Sequence, residues 1–210
     1  GPVGNVVVRL ARGVPRHINH IIYFDNFYIS VALVTYLAKQ GIYSLGTVQS
    51  NRLVNCKLPD KKTMMKKSVP RGTYEEQMTE FDGIDLTAAT WKDNKVVTFL
   101  FSYVGAEPVG QVERFDNANK TRIKISCPHI IKEYNAHMGG VDLMDSFIGR
   151  YRIAMRSRKW YLRNFYHLLD MTVINSWLVY KNLKTTEANS LVLNLCNYRL
   201  ELAEVLAKVN

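Results

Sequence analysis

The sequence predicts an α/β core that is interrupted by a β-rich stretch and followed by helices, and three observations carry that prediction. Residues 18–24 form a compact apolar run (Ile18, Ile21, Ile22, Tyr23, Phe24), which suits a strand buried on both faces of a helix-covered sheet. Ser30, Leu33, Val34, Leu37 and Ala38 then recur at helical spacing, with Gly41 as a stop signal. After residue 50 lysines and prolines break the pattern, and the chain beyond them turns to Val, Thr, Phe and Trp in strand-like runs.

Taken in order, residues 6–10 are a β-branched run that reads as a strand, and Arg12-Gly-Val-Pro15 turns the chain. The run at 18–24 is a second strand, 30–40 a helix and 42–49 a third strand, the grammar of an α/β sheet. Residues 50–83 hold Lys57, Lys61, Lys62, Lys66 and Lys67 with Pro59 and Pro70, and read as loop or linker. Residues 84–91 and 96–104 make a hairpin across Lys92-Asp93-Asn94-Lys95. Residues 105–119, broken by Pro108 and Gly110, read as loop again. A short strand follows at 123–126, and Pro128 suits the first position of a helix running to Met138. Gly139-Gly140 interrupts that helix, and another starts near Val141. Beyond residue 160 two neighbouring helix faces are apolar, so this long helix is expected to be buried nearly all round or to pack against another subunit. Leu191, Leu195, Tyr198, Leu202 and Val205 mark a last amphipathic helix. The resulting division is residues 1–50 and 122–152 as two parts of one α/β core, 51–121 as a β-rich insertion, and 153–210 as a helical segment.

At 210 residues and 47% hydrophobic content the chain can bury one good core or two small ones. Its formal charge of +10, from 28 Lys+Arg against 18 Asp+Glu, favours a polyanionic partner, with nucleic acid first and an anionic membrane surface second. Cys56, Cys127 and Cys196 are far apart and lack zinc-site spacing, so reduced thiols in an intracellular protein are expected. No apolar segment reaches membrane-spanning length, residues 1–11 lack the form of a secretory signal, and the missing initiator Met suggests a fragment or a processed chain.

Chemistry concentrates in two places. Asp25 sits at the carboxyl end of a buried strand, where α/β sheets place their ligands, although Asp25-Asn26 also suits a simple turn cap. Asp142 and Asp145 stand three apart at a helix start, on one face, where their negative charge would also favour the helix dipole. Next to them, from Phe147 to His167, lie Arg150, Arg152, Arg156, Arg158, Lys159 and Arg163 with no acid, interleaved with Tyr151, Trp160 and Tyr161. A solvated helix face usually mixes signs, so this block reads as a phosphate-binding surface, with Trp160 either stacking on a base or simply core. Carboxylates that could hold a metal beside cations that could hold phosphates are what a nucleic-acid-cutting site needs.

Several stretches resemble the piggyBac family of DNA transposases and their domesticated relatives: Tyr23-Phe-Asp-Asn-Phe-Tyr-Ile-Ser30, Gly46-Thr-Val-Gln-Ser-Asn-Arg52, Trp91-Lys-Asp-Asn-Lys-Val96, Tyr134-Asn, Gly139-Gly-Val-Asp-Leu-Met-Asp145, and Trp160 with Ile174-Asn-Ser-Trp-Leu178. The resemblance implies an RNase H-like catalytic core interrupted by a β-rich insertion. It implies that Asp25 and Asp142 are the second and third of three catalytic, metal-holding aspartates, with Asp145 a further acid near the site. Trp160 is similar to an aromatic placed near transposon-end DNA, and the helices beyond it to the part that dimerises and grips DNA. It further implies two Mg²⁺ ions, cleavage and joining of DNA at a TTAA target with a hairpin on the excised end, a homodimer, and a nuclear location. The family's first aspartate has no counterpart here, because residues 1–24 contain no Asp or Glu. Taken alone, the polypeptide is therefore expected to lack a complete metal site, either as a piece of a longer transposase or as a decayed copy that keeps only DNA binding.

Overall fold

The structure is a computed structural model that describes residues 2–103, 105, 107–116, 119–186 and 191–209. It divides into two compact units, Gly1–Met138 and Gly139–Asn210, each with its own interior.

The first unit is built on a five-stranded sheet, order β1-β2-β5-β4-β3, formed by β1 (His20–Phe24), β2 (Ile42–Thr47), β3 (Tyr74–Phe81), β4 (Ile84–Lys92) and β5 (Val96–Phe101). β1 and β2 are parallel and the other pairings antiparallel. A separate two-stranded ribbon pairs β6 (Val109–Asp116) with β7 (Thr121–Pro128). The sheet is covered on both faces, but the expectation that the run 18–24 is a strand buried on both is corrected: β1 lies at the sheet edge and only its Phe24 is buried. Leu86, Ala88 and Leu100 pack with α1 (Pro2–Leu10) and α2 (Val31–Lys39) on one side. Ala89, Trp91, Phe99 and Phe101 face Ile125 and Cys127 of β7 and Ile130 and Ile131 of α4 (His129–Met138) on the other. That alternation is the strand period of two, and each fully buried large side chain contributes roughly 1.5–3 kcal/mol. Ser30 caps α2 by accepting from the Leu33 amide, and Gly41, with φ of +66°, ends it as the stop signal required.

Further sequence expectations are corrected. Residues 6–10 are not a strand but the body of α1, whose Val7 is buried together with Ala11 of the 3₁₀ turn that follows, four residues on, so tertiary packing overrides the β preference of three valines. Residues 50–83 are not all linker: they contain the short helix α3 (Lys61–Met64) and the whole of β3. Residues 105–119 are not all loop, because β6 pairs along its length with β7. Pro128 ends β7, and α4 begins at His129. Strands β3, β4 and β5, all from the stretch 51–121, are hydrogen-bonded into the same sheet as β1 and β2.

The second unit holds α5 (Gly140–Tyr151), α6 (Trp160–Thr186) and α7 (Leu195–Lys208). Ile148, Ile174, Trp177 and Leu195 are buried between them, and the Phe147 ring meets Trp177 edge-on at 5.1 Å. Asn194 caps α7 by accepting from the Asn197 amide. Within this chain α6 is not buried all round: Phe165, Leu168, Val179 and Leu183 are exposed.

Candidate nucleic-acid interface

In the first unit Asp25 follows directly on the last residue of β1, at the carboxyl end of the parallel β1–β2 pair. Phe24 lies opposite Gly46, and a Cβ at Gly46 would run into the Phe24 carbonyl, so only glycine lets the two strands close here. The Asp25 carboxylate is exposed and its Oδ1 accepts from the Phe27 amide at 2.9 Å. The turn-capping role and an outward carboxylate are therefore both realised. Arg52 holds the same loop from outside: its Nη1 donates to the carbonyl oxygens of Asn26 at 2.5 Å and Ile29 at 3.2 Å, with Phe27 at 3.4 Å. A guanidinium gathering these carbonyls fixes the backbone that carries Asp25.

A second clamp joins β1 to α4. The Tyr23 hydroxyl donates to Glu133 Oε1 at 2.6 Å, and the Tyr23 ring stacks on His137 at 4.6 Å. Burial, then donation to Glu133, pushes the Tyr23 hydroxyl far above its ordinary range, so it remains a donor. Asp93, in the β4–β5 turn, accepts from Arg71 and from Arg114 of β6, tying the ribbon to the sheet. Burial opposes its ionisation, but the two arginines outweigh that and hold the carboxyl below its usual range.

In the second unit Asp142 and Asp145 are both exposed on α5, with Asp142 in the first turn, where it also favours the dipole. All six cations of the basic block, Arg150, Arg152, Arg156, Arg158, Lys159 and Arg163, are exposed. Trp160, 68% exposed, is not core within this chain, which leaves its indole free to stack. Arg150 lies over the Phe147 ring at 5.6 Å and Lys159 over Tyr161 at 5.9 Å. The irregular segment between α5 and α6 is pinned by Asp170, 2% exposed, whose Oδ2 accepts from the Ile153 amide at 3.1 Å and whose Oδ1 faces Arg199 at 3.4 Å. The basic segment is thus anchored at its start and its charges point outward.

Asp25 belongs to one unit, and Asp142, Asp145 and the basic block to the other. Exposed carboxylate oxygens are the right donors for a hard cation. Their number falls short: among the described residues no group of three or more His, Cys, Asp or Glu side chains gathers as a metal cluster. Sequence reasoning missed Arg52, Glu133, Asp93 and Asp170. A single charged side chain, even within a stretch such as 46–52 or 91–96, carries no local signal of the distant partner that gives it a role.

Among the described residues no helix is long and apolar enough to cross a membrane. Residues 1–177 match the family model described as Transposase IS4, of DDE type. The human PiggyBac transposable element-derived protein 2 is 32% identical over 76% of this chain. The human PiggyBac transposable element-derived protein 3 is 34% identical over 75% of it. The chain spans about a quarter of each, 26% of their lengths. A solved piggyBac transposase synaptic complex with hairpin DNA superposes with a TM-score of 0.64 at 22% identity, covering 95% of this chain and 38% of that one. The fold is therefore shared with a piggyBac transposase, and this mixed α/β chain belongs to the piggyBac-type transposases of that DDE family.

Proposed function

We propose that this chain is part of the catalytic core of a piggyBac-type DNA transposase, and that its own contribution is to grip DNA and to supply two of the acids that cut it. The observation that supports this most directly is the basic block: six exposed cations with no intervening acid, beside an exposed Trp160, on a segment anchored by Asp170. Arg150, Arg152, Arg156, Arg158, Lys159 and Arg163 would contact phosphates and Trp160 a base. The β1–β2 pair with α2 fits the RNase H-like core of the family, and the strand-end position of Asp25 fits its second catalytic acid. Asp142 fits the third, with Asp145 close by on the same helix face.

DDE-type transposases use divalent metal ions, and Asp25 and Asp142 would be ligands of the Mg²⁺ pair in an intact parent. When bound, such ions supply an activated water for nicking and an activated 3′-hydroxyl for joining. This chain's own residues hold the carboxylates in place: Arg52 fixes the Asp25 loop, and Glu133, through Tyr23, fixes the strand that precedes it. The DNA would be transposon ends joined at TTAA, in the nucleus. The exposed apolar residues of α6 suit a homodimer contact, which light scattering of the purified chain tests directly.

In the intact parent Asp25→Asn and Asp142→Asn are each expected to abolish Mg²⁺-dependent nicking while DNA affinity stays within about twofold. Normal cleavage by either variant refutes the assignment. A second reading is a domesticated DNA-binding protein without chemistry, which the exposed basic block, a feature of binding rather than of cutting, supports as well. Under it the parent binds DNA but shows no metal-dependent nicking.

A further inference from the structure

The lysines between residues 57 and 67 are not part of the block described above, and the structure makes them more than a solvated loop. Lys57, Lys61, Lys62, Lys66 and Lys67 are all exposed, with Asp60 the one acid among residues 57–67. Asp60 is occupied as the cap of α3, its Oδ1 accepting from the Thr63 amide at 2.9 Å. Among the described residues none of the five ammonium groups lies at ion-pair distance from a carboxylate.

The backbone beneath them is fixed. Met64 is buried, at 3% exposure, and anchors α3 to the unit. Lys92 of β4, itself only 7% exposed, donates from Nζ to the carbonyl oxygens of Lys66 at 2.8 Å and Val69 at 2.6 Å. A buried ammonium thus draws the loop's carbonyls inward, which leaves its side chains directed at solvent. A lysine-rich loop held in this way loses less backbone entropy on binding than a free one would.

Its position is as informative as its rigidity. Lys61 and Lys62, with the helix-capping Asp60 beside them, line one side of an open cleft of about 430 Å³, whose other wall is Gln49, Ser50 and Asn51. Those three residues leave the carboxyl end of β2, and the next one, Arg52, is the residue that holds the Asp25 loop. Cations and amide or hydroxyl donors therefore meet at the carboxyl ends of the two parallel strands, where open α/β sheets take ligands.

We propose that residues 57–67 form a second contact surface for the sugar-phosphate backbone of DNA, one that holds a strand leading toward Asp25, with Lys61, Lys62 and Lys66 as phosphate contacts. The proposal rests on the DNA-binding function argued above, and its test separates the two. Lys61→Gln/Lys62→Gln/Lys66→Gln is compared with Lys120→Gln/Lys124→Gln/Lys208→Gln, a control that removes the same charge from exposed sites elsewhere. Binding of a random-sequence duplex to each chain is followed by fluorescence anisotropy across a salt series. Each lost phosphate contact lowers the slope of log K against log salt by about 0.9, so the first variant is expected to lose roughly 2–3 units of slope and the control little.

Equal slopes for the two variants overturn the second surface while leaving DNA binding intact; a native chain with no salt-dependent affinity overturns both. Lysine acetylation of the unaltered chain, read by mass spectrometry, removes any dependence on how the variants fold. Duplex DNA should protect Lys61, Lys62 and Lys66 but not Lys120 or Lys124. Equal labelling with and without DNA, or protection by phosphatidylserine vesicles instead, overturns the proposal.

Discussion

Asp170 shows how much one side chain can organise. It is almost fully buried, yet both its oxygens have donors, one from the backbone of the basic segment and one from Arg199 on α7. Asp170→Ala would leave the Ile153 amide and a partly buried guanidinium without their acceptor, a loss of about 3 kcal/mol for a charge pair of this kind. The urea midpoint of the second unit should fall accordingly, and DNA affinity should fall with it because the segment loses its anchor. Asp93 yields a pH prediction. Its folded carboxyl lies below the unfolded range, so its stabilisation is complete above that range and is lost as pH falls through the folded value. Asp93→Asn should therefore lower stability at neutral pH and flatten the acid limb of the stability curve, read as urea midpoint against pH.

Among the elements, the β3–β4 hairpin and the β1–β2 pair make the sharpest predictions. Phe81 pairs with Ile84 across Asp82 and Gly83, both at positive φ, the two-residue turn that matches strand twist. Gly83→Ala should cost roughly 1 kcal/mol by forcing a side chain into that conformation. Gly46→Ala should cost more, about 2 kcal/mol, because its Cβ meets a strand carbonyl and must push β1 and β2 apart next to Asp25. Thermal melts of the two variants check the order. The same elements explain what the sequence could reveal. β1, α2, β2, β4 and β5 are legible because their periodicity and stop signals are local. β3 carried its own signal in Asp82-Gly83, but the lysine-rich stretch before it obscured the reading. β6 was hidden because Gly110, Val112 and Arg114 occupy its inward positions, and Arg114 belongs there only because Asp93 awaits it. Asp25 could be singled out from its strand-end position, whereas the clamp that holds its loop came from Arg52, distant in sequence, whose stretch 46–52 gives no sign of the carbonyls it gathers.

For the molecule as a whole, charge decides the behaviour. With +10 overall and six exposed cations in one block, DNA affinity should fall by about a thousandfold between roughly 50 and 200 mM salt if all six contact phosphates. Arg156→Gln/Arg158→Gln should reduce the slope by about 2 units, and an unchanged slope would show those arginines to be merely solvated. The sheet order has a further consequence for how such measurements are made. β3, at one edge, carries Glu75, Glu76 and Glu80, charges that discourage pairing with another chain. β1, at the other edge, is His20-Ile21-Ile22-Tyr23-Phe24, rich in β-branched and aromatic residues and without an acid, and the first negative charge after it is Asp25. The acid proposed for cutting would also act as a gatekeeper of that edge. Asp25→Asn should raise scattered light in concentrated samples, whereas Asp25→Glu should not, so the two variants together tell lost chemistry from lost solubility.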